Sequence, residues 1–120
     1  MPEPEILIVE DEFIIAELMR DMIEAGGHGA CVHASTLADA LKHAQHGRWK
    51  AAFLDIRING ELVFPVADEL RRKGVPLAFC SGEFDGADVP KQWRDANRLH
   101  KPWQPHELEA VLKKLLSAGA

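Results

Sequence analysis

The sequence has few cysteines and no cluster of basic residues, and each absence excludes a class of protein. Cys31 and Cys80 match no metal-binding spacing, and two cysteines in an intracellular chain of this size are typical of core residues rather than of a disulfide. The formal net charge is -5 at pH 7. Nucleic-acid binding depends on the neutralisation of phosphates by Lys and Arg, so we expect no nucleic-acid partner.

Membrane-spanning and secretory segments are also missing. No apolar run is long enough to cross a bilayer, and residues 1–5 have neither the basic start nor the apolar core of a signal peptide. We therefore expect a cytoplasmic protein with no membrane partner. The 120 residues suit a single domain over residues 1–120, with no output domain.

The most informative stretch lies near the start of the chain, where the apolar run from Ile6 to Val9 precedes three acids. Such a run indicates a central parallel strand that is buried on both faces. In open α/β sheets, ligands bind at the carboxyl ends of the strands, where the strand order reverses. Glu10 and Asp11 therefore predict a site that suits a hard cation.

Helix patterns follow in alternation with strands. In the first helix, apolar residues recur at helical spacing, and the predicted inward stripe contains Ile15, Leu18, Met19, Met22 and Ile23. Thr36, with Asp39 three residues later, has the spacing of a capping box at the start of the second helix. A third helix is expected after the Asn59-Gly60 turn, and a last helix begins at Pro105.

Four further strands are expected, near residues 29–33, 51–54, 75–80 and 97–100. For residues 83–94 we expect a loop or at most a short helix, because Gly, Pro and acids interrupt any periodicity. Alternating strands and helices with short connections predict a parallel sheet with helices on both faces.

Polar residues follow four of these strands. Glu10 and Asp11 follow the first strand, Asp55 the third, Ser81 the fourth and Lys101 the fifth. Three carboxylates can hold one Mg²⁺ ion with waters, while a lysine and a hydroxyl contact the other oxygens of a phosphoryl group. One carboxylate can act as the nucleophile, because the metal and the lysine offset the repulsion between two anions. The set predicts a phosphoryl-transfer site.

These motifs resemble the receiver domains of two-component response regulators, and the resemblance covers the whole chain. The matching marks are Ile-Leu-Ile-Val-Glu-Asp-Glu at residues 6–12, Ala-Phe-Leu-Asp-Ile at residues 52–56, the Ser81 hydroxyl and Lys101-Pro102. The resemblance implies a flavodoxin-like, doubly wound α/β fold with a five-stranded parallel sheet in the order 2-1-3-4-5 and helices on both faces. It also implies a cis peptide bond between Lys101 and Pro102.

The resemblance further implies a role for each site residue. Asp55 would be the phosphoacceptor, and Ser81 and Lys101 would contact the phosphoryl group. The implied Mg²⁺ ligands are Glu10, Asp11, Asp55 and the backbone carbonyl of Arg57.

The segment from Pro76 to Phe84 is similar to the Pro-Phe-x-Phe-Ala-Thr-Gly-x-Tyr signature of the FAT GUY receivers, which are often stand-alone regulators. The substitutions within it are Leu77, Cys80, Ser81 and Phe84. Many receivers place a Tyr or Phe three residues before the lysine, to turn inward when the hydroxyl moves, but this chain has Arg98 there. If an aromatic residue takes that role in this chain, it is Phe84 or Trp103.

The implied function is that of a phosphoacceptor in two-component or phosphorelay signalling. The donor would be a phosphohistidine on a histidine kinase or histidine phosphotransfer protein, and a downstream protein would bind the face formed by strand five and the last helix. The chain would not be an enzyme, since it would catalyse only its own Mg²⁺-dependent phosphorylation and dephosphorylation. The alternative is a receiver-like interaction module that signals without phosphorylation. A haloacid dehalogenase-type phosphatase is disfavoured, because Arg57 stands where such enzymes need a second acid.

Overall fold

Parallel strands form the centre of the molecule, and helices cover both faces of the sheet. The computed structural model describes residues 5–82 and 89–118. Within these residues the strands are β1 (Ile6–Val9), β2 (Cys31–Ala34), β3 (Ala51–Asp55), β4 (Arg57–Ile58), β5 (Glu61–Leu62), β6 (Leu77–Ser81) and β7 (Asn97–His100). The helices are α1 (Phe13–Ala25), α2 (Leu37–His46), α3 (Phe64–Arg72) and α4 (Pro105–Ala118), with a 3₁₀ turn at Lys91–Trp93.

The main sheet has the strand order β2-β1-β3-β6-β7, and every neighbouring pair is parallel. Strands β4 and β5 form a separate antiparallel hairpin. When only the strands of the main sheet are counted, this order is the predicted 2-1-3-4-5. The predicted doubly wound parallel sheet is therefore confirmed.

Alternating side chains of the central strands build two cores. Leu7 and Val9 pack into one core with apolar residues of α2 and α3, whereas Ile6 and Ile8 pack into the other with residues of α1 and α4. Successive side chains of a strand point to opposite faces, so a strand that is apolar throughout needs helices on both sides. The four residues of β1 are at most 1% exposed, as the apolar run predicts.

Helix and turn boundaries follow the local signals. The Thr36 side chain accepts a hydrogen bond from the Asp39 backbone N–H at 3.1 Å, which confirms the predicted cap of α2. The turn between β4 and β5 is formed by Asn59 and Gly60, whose φ angles are 51° and 83°. Both are left-handed conformations that Asn and Gly tolerate best, and they give a tight hairpin. The Asn-Gly pair predicts the turn, but it does not predict the two short strands beside it.

One side of α1 differs from its predicted packing. Met19 and Ile23 are buried as expected, but Leu18 is 49% exposed. Two further apolar residues at the start of α1 are also exposed, Phe13 at 66% and Ile14 at 75%. The helical spacing identified an amphipathic helix correctly, but assigned it a buried stripe that was too wide.

An aromatic contact anchors the segment that carries Trp93, shortly before β7. Trp93 is buried, and its ring meets the Phe79 ring edge-on at 5.4 Å between centroids. Its Nε1–H donates to Asp68 Oδ1 at 2.9 Å, and the Arg71 guanidinium lies 3.6 Å from the ring centroid. Residues 89–94 contain a 3₁₀ turn, in agreement with the expected loop or short helix. Residues 83–88 lie outside the described part of the chain.

Within the described residues, we find no helix long and apolar enough to cross a membrane. Cys31 on β2 and Cys80 on β6 are both buried and free, with β1 and β3 between their strands. This agrees with the prediction that the two residues belong to the core and do not pair.

Candidate functional site

Most of the predicted site residues meet at the carboxyl edge of the sheet. Glu10 follows β1, Asp55 ends β3, Ser81 ends β6 and Lys101 follows β7. Parallel strands carry their carboxyl ends to the same edge, so residues far apart in the sequence converge there. Asp11 lies beside Glu10 in the short loop before α1.

The Lys101 ammonium joins two of the acids. Its Nζ donates to Glu10 Oε1 at 2.5 Å and to Asp55 Oδ2 at 3.1 Å. The Lys101 backbone N–H donates to the Ser81 carbonyl at 2.8 Å, which ties the loop after β7 to the end of β6. The peptide bond between Lys101 and Pro102 is cis, as the resemblance implied.

The acids themselves are held by backbone N–H groups. Glu10 Oε2 accepts from the Glu12 backbone N–H at 3.0 Å, and Asp11 Oδ2 accepts from the Asn59 backbone N–H at 2.9 Å. One carboxylate oxygen each from Glu10, Asp11 and Asp55 lies within 4.8 Å of the others. Carboxylate oxygens are the ligands that Mg²⁺ prefers, so this donor set fits a hard divalent cation.

Burial dominates the electrostatics of the two inner carboxyl groups. It raises the pKa of Glu10 to about 7, although the hydrogen bonds from Lys101 and the Glu12 N–H oppose the shift. It also raises the pKa of Asp55, against the attraction of the Lys101 charge. The carboxylate forms are thus costly to bury, and a bound cation would offset that cost.

The other two charges are stabilised. Partial burial acts to raise the pKa of Asp11, but the hydrogen bond from the Asn59 N–H and other contacts outweigh it and lower that pKa. Burial acts to lower the pKa of Lys101, but its hydrogen bond to Glu10 and the charge of Asp55 raise it instead. The site therefore keeps an ammonium group and an ionised Asp11 at neutral pH.

Ser81 contributes a buried hydroxyl with an unmet hydrogen-bonding capacity. The residue is 2% exposed, and its Oγ has no hydrogen-bond partner among the described residues. A buried hydroxyl without a partner is costly, so its position beside Asp55 and Lys101 suits a ligand oxygen. Arg57 lies two residues after Asp55, exposed at the start of β4, and the ligand role of its carbonyl stays a prediction.

The residues considered for a conformational switch lie at different positions. Arg98, which stands where many receivers have an aromatic residue, lies half-buried on β7, opposite Phe79 in the register of the sheet. Trp103 is half-buried beside Lys101 and lines a cleft of about 470 Å³, together with Ile15, Leu18 and Met22 of α1. Phe84 lies outside the described residues. Of these two aromatic candidates, the structure describes Trp103, which lies near the site.

Sequence reasoning missed two residues that contact the acid pair. The His33 Nε2–H donates to the Glu10 backbone carbonyl at 2.6 Å, and the Asn59 backbone N–H donates to Asp11 Oδ2 at 2.9 Å. His33 carries no sequence signal for this contact, because its partner is a backbone atom brought close by the sheet. Asn59 had a signal in the Asn-Gly pair, which indicated only a turn.

Comparisons with known proteins agree with this architecture. The family model described as "Response regulator receiver domain" matches residues 6–113. The phyllosphere-induced regulator PhyR of Methylorubrum extorquens is 30% identical over 115 residues, which are 93% of this chain and 43% of PhyR. The chain thus spans less than half the length of that curated relative.

Solved structures show the same likeness. SdrG from Sphingomonas melonis Fr1 is 33% identical with a TM-score of 0.81, over 94% of this chain and 96% of that one. The receiver domain of the sensor histidine kinase PA1611 from Pseudomonas aeruginosa PAO1 has a TM-score of 0.81 at 21% identity, over 95% and 98% of the two chains. That protein has a magnesium ion coordinated in its active-site cleft. With the family model matching nearly its whole length, the chain belongs to the response regulator receiver domains of two-component signalling.

Proposed function

We propose that this receiver domain is phosphorylated on Asp55 in a reaction that needs Mg²⁺. The observation that carries the proposal is the convergence of three carboxylates, a lysine ammonium and a buried hydroxyl, which has no partner among the described residues, at one edge of the sheet. Such a set can bind a phosphoryl group, and it contains a nucleophile that can accept one.

The roles follow from the positions of the side chains. An oxygen of Asp55 attacks phosphorus and forms a P–O bond, while the P–N bond of a phosphohistidine breaks and its electron pair leaves on the imidazole nitrogen. Lys101 lies within hydrogen-bonding distance of Asp55, so its charge reduces the repulsion between the carboxylate and the incoming phosphoryl group. The Ser81 hydroxyl would donate to a phosphoryl oxygen.

Glu10, Asp11, Asp55 and the Arg57 carbonyl would hold Mg²⁺, which supplies positive charge to the phosphoryl oxygens when bound. The support is the carboxylate spacing within 4.8 Å together with the burial of Glu10 and Asp55. We infer that the chain acts on no separate substrate, and that it catalyses only its own phosphorylation and dephosphorylation.

The phosphohistidine donor is a histidine kinase or a histidine phosphotransfer protein. Its imidazole must reach Asp55 from the carboxyl edge of the sheet, which α1 borders. Phe13, Ile14 and Leu18 are exposed apolar side chains of α1, and exposed apolar side chains at such an edge favour protein contacts. We therefore propose that the phosphohistidine donor docks on α1.

The downstream partner binds the face formed by β7 and α4. Lys101 lies between these two elements, and its backbone N–H is bonded to the end of β6. A phosphoryl group on Asp55 would draw the Lys101 ammonium away from Glu10 and so move the loop that joins β7 to α4. This connection supports β7 and α4 as the responsive surface.

The test is phosphorylation by a small phosphodonor such as phosphoramidate, in the presence and absence of Mg²⁺. We expect one phosphoryl group per chain, stable in acid and labile in base, which forms only with Mg²⁺. Asp55→Asn is the matched control, because the amide has nearly the same shape and is a poor nucleophile. Equal labelling of the parent and Asp55→Asn would refute the proposal.

A further inference from the structure

Residues from outside β1 hold both members of the acid pair. The His33 Nε2–H donates to the backbone carbonyl of Glu10 at 2.6 Å, and the Asn59 backbone N–H donates to Asp11 Oδ2 at 2.9 Å. Neither His33 nor Asn59 has a role in the chemistry proposed above. Their contacts concern the placement of the two acids rather than the reaction itself.

The His33 contact fixes the peptide group that joins the two acids. A carbonyl oxygen only accepts, so Nε2 must carry the hydrogen. His33 stands opposite Ile8 in the parallel register, which lets its ring reach past the strand end to Glu10. The Glu10 backbone N–H is also bonded, to the Ala34 carbonyl at 3.1 Å. The peptide group is planar, so fixing the Glu10 carbonyl also fixes the direction in which the backbone enters Asp11.

Asn59 connects Asp11 to the same end of β2. It has a φ of 51°, and its side-chain Nδ2–H donates to the Ser35 carbonyl at 3.2 Å. The side chain thus ties the hairpin turn to the loop after β2, while the backbone N–H faces Asp11. Asn tolerates the left-handed conformation and supplies an amide donor, whereas Gly would meet only the first requirement.

We propose that His33 and Asn59 are positioning residues that tie the Glu10-Asp11 pair to the carboxyl end of β2 and so hold the two acids for a divalent cation. This inference rests on the proposed function for the cation, but the geometry of the two contacts does not. Residues that orient metal ligands typically change metal affinity by about tenfold or more when they are removed.

The experiment measures Mg²⁺ affinity by calorimetry with magnesium chloride alone, on the full chain and its variants. His33→Leu removes the donor, and His33→Gln restores an amide N–H at a similar reach. We expect about tenfold weaker Mg²⁺ binding in His33→Leu and near-parent binding in His33→Gln. Asn59→Gly keeps the turn but loses the bond to Ser35, and should also weaken binding.

The matched control is Arg20→Met, which removes a side-chain hydrogen bond to the carbonyl of Cys31, at the opposite end of β2. It should lower the melting temperature without changing Mg²⁺ affinity. Parent-like affinity in His33→Leu and Asn59→Gly would overturn the positioning role and leave the proposed function intact. A loss of Mg²⁺ affinity in His33→Leu that is equally large in His33→Gln would also overturn the positioning role.

A second readout uses the metal-free chain. Hydrogen exchange of the residue 59 amide reports its bond to Asp11, and we expect this exchange to be faster in His33→Leu than in the parent. A parent chain that binds no Mg²⁺ would overturn the proposed metal site, and the exchange rate would then decide the positioning role alone. Faster exchange supports that role, and unchanged exchange overturns it.

Discussion

Replacing Glu10 with Gln should stabilise the metal-free protein, and the gain should depend on pH. Glu10 is 4% exposed, and burial raises the pKa of its carboxyl group from 4.5 to about 7. Between these two values the folded protein holds a proton that the unfolded chain releases. The contribution of protonated Glu10 to the free energy of unfolding is therefore fully present below pH 4.5, and it is lost as the pH rises through about 7.

The pKa shift sets the size of the effect. At about 1.4 kcal/mol per pH unit, the shift corresponds to a cost on the order of 3 kcal/mol for the ionised, folded form. Gln resembles the protonated carboxyl group at every pH. We therefore expect Glu10→Gln to exceed the parent in free energy of unfolding by on the order of 3 kcal/mol at about pH 8, and to match it at about pH 4.

Urea denaturation with a chelator present measures these differences. Glu12→Gln is the control, because it removes an acid from the same loop but at an exposed position. Mg²⁺ should then stabilise the parent at the higher pH much more than Glu10→Gln, because the variant lacks one carboxylate ligand. An equal difference between parent and Glu10→Gln at both pH values would show that the charge of Glu10 carries no cost in the folded protein.

Three other variants test separate parts of the structure. Asp11→Ala should weaken Mg²⁺ binding by at least about tenfold, measured by calorimetry, and unchanged affinity would exclude Asp11 as a ligand. Leu18→Asp should slow transfer from a phosphohistidine protein but leave the rate from a small phosphodonor unchanged, and equal slowing with both donors would argue against a docking role. Lys73→Met should cost about 1 kcal/mol in urea denaturation, because the Lys73 ammonium donates to the carbonyls of Ala44, Gln45 and Gly47 at the end of α2. As the control for Lys73→Met, Lys114→Met on an exposed face of α4 should cost nothing measurable.

The sequence predicted the sheet and the reactive set because both depend on local patterns. The run from Ile6 to Val9 is buried on both faces, so its composition alone identifies a central strand. Asp55, Ser81 and Lys101 then had to meet, because parallel strands end at one edge.

Features that depend on tertiary packing were not predictable in the same way. The spacing of Leu18 indicated an amphipathic helix, but its exposure depends on how the loop carrying Trp103 approaches α1. The strands β4 and β5 have two residues each, which is too short for any periodic pattern. The contact of His33 with Glu10 depends on the register of β2 against β1, which the sequence of either strand does not specify.

Chemical mapping of the modified residue tests whether Asp55 accepts the phosphoryl group. After reaction with Mg²⁺ and a small phosphodonor, borohydride reduces an aspartyl phosphate to homoserine, which peptide mass spectrometry can locate. We predict homoserine at position 55, only in the samples that contained Mg²⁺. Homoserine at another aspartate position, or an unmodified chain after incubation with both Mg²⁺ and the phosphodonor, would show that Asp55 is not the phosphoacceptor.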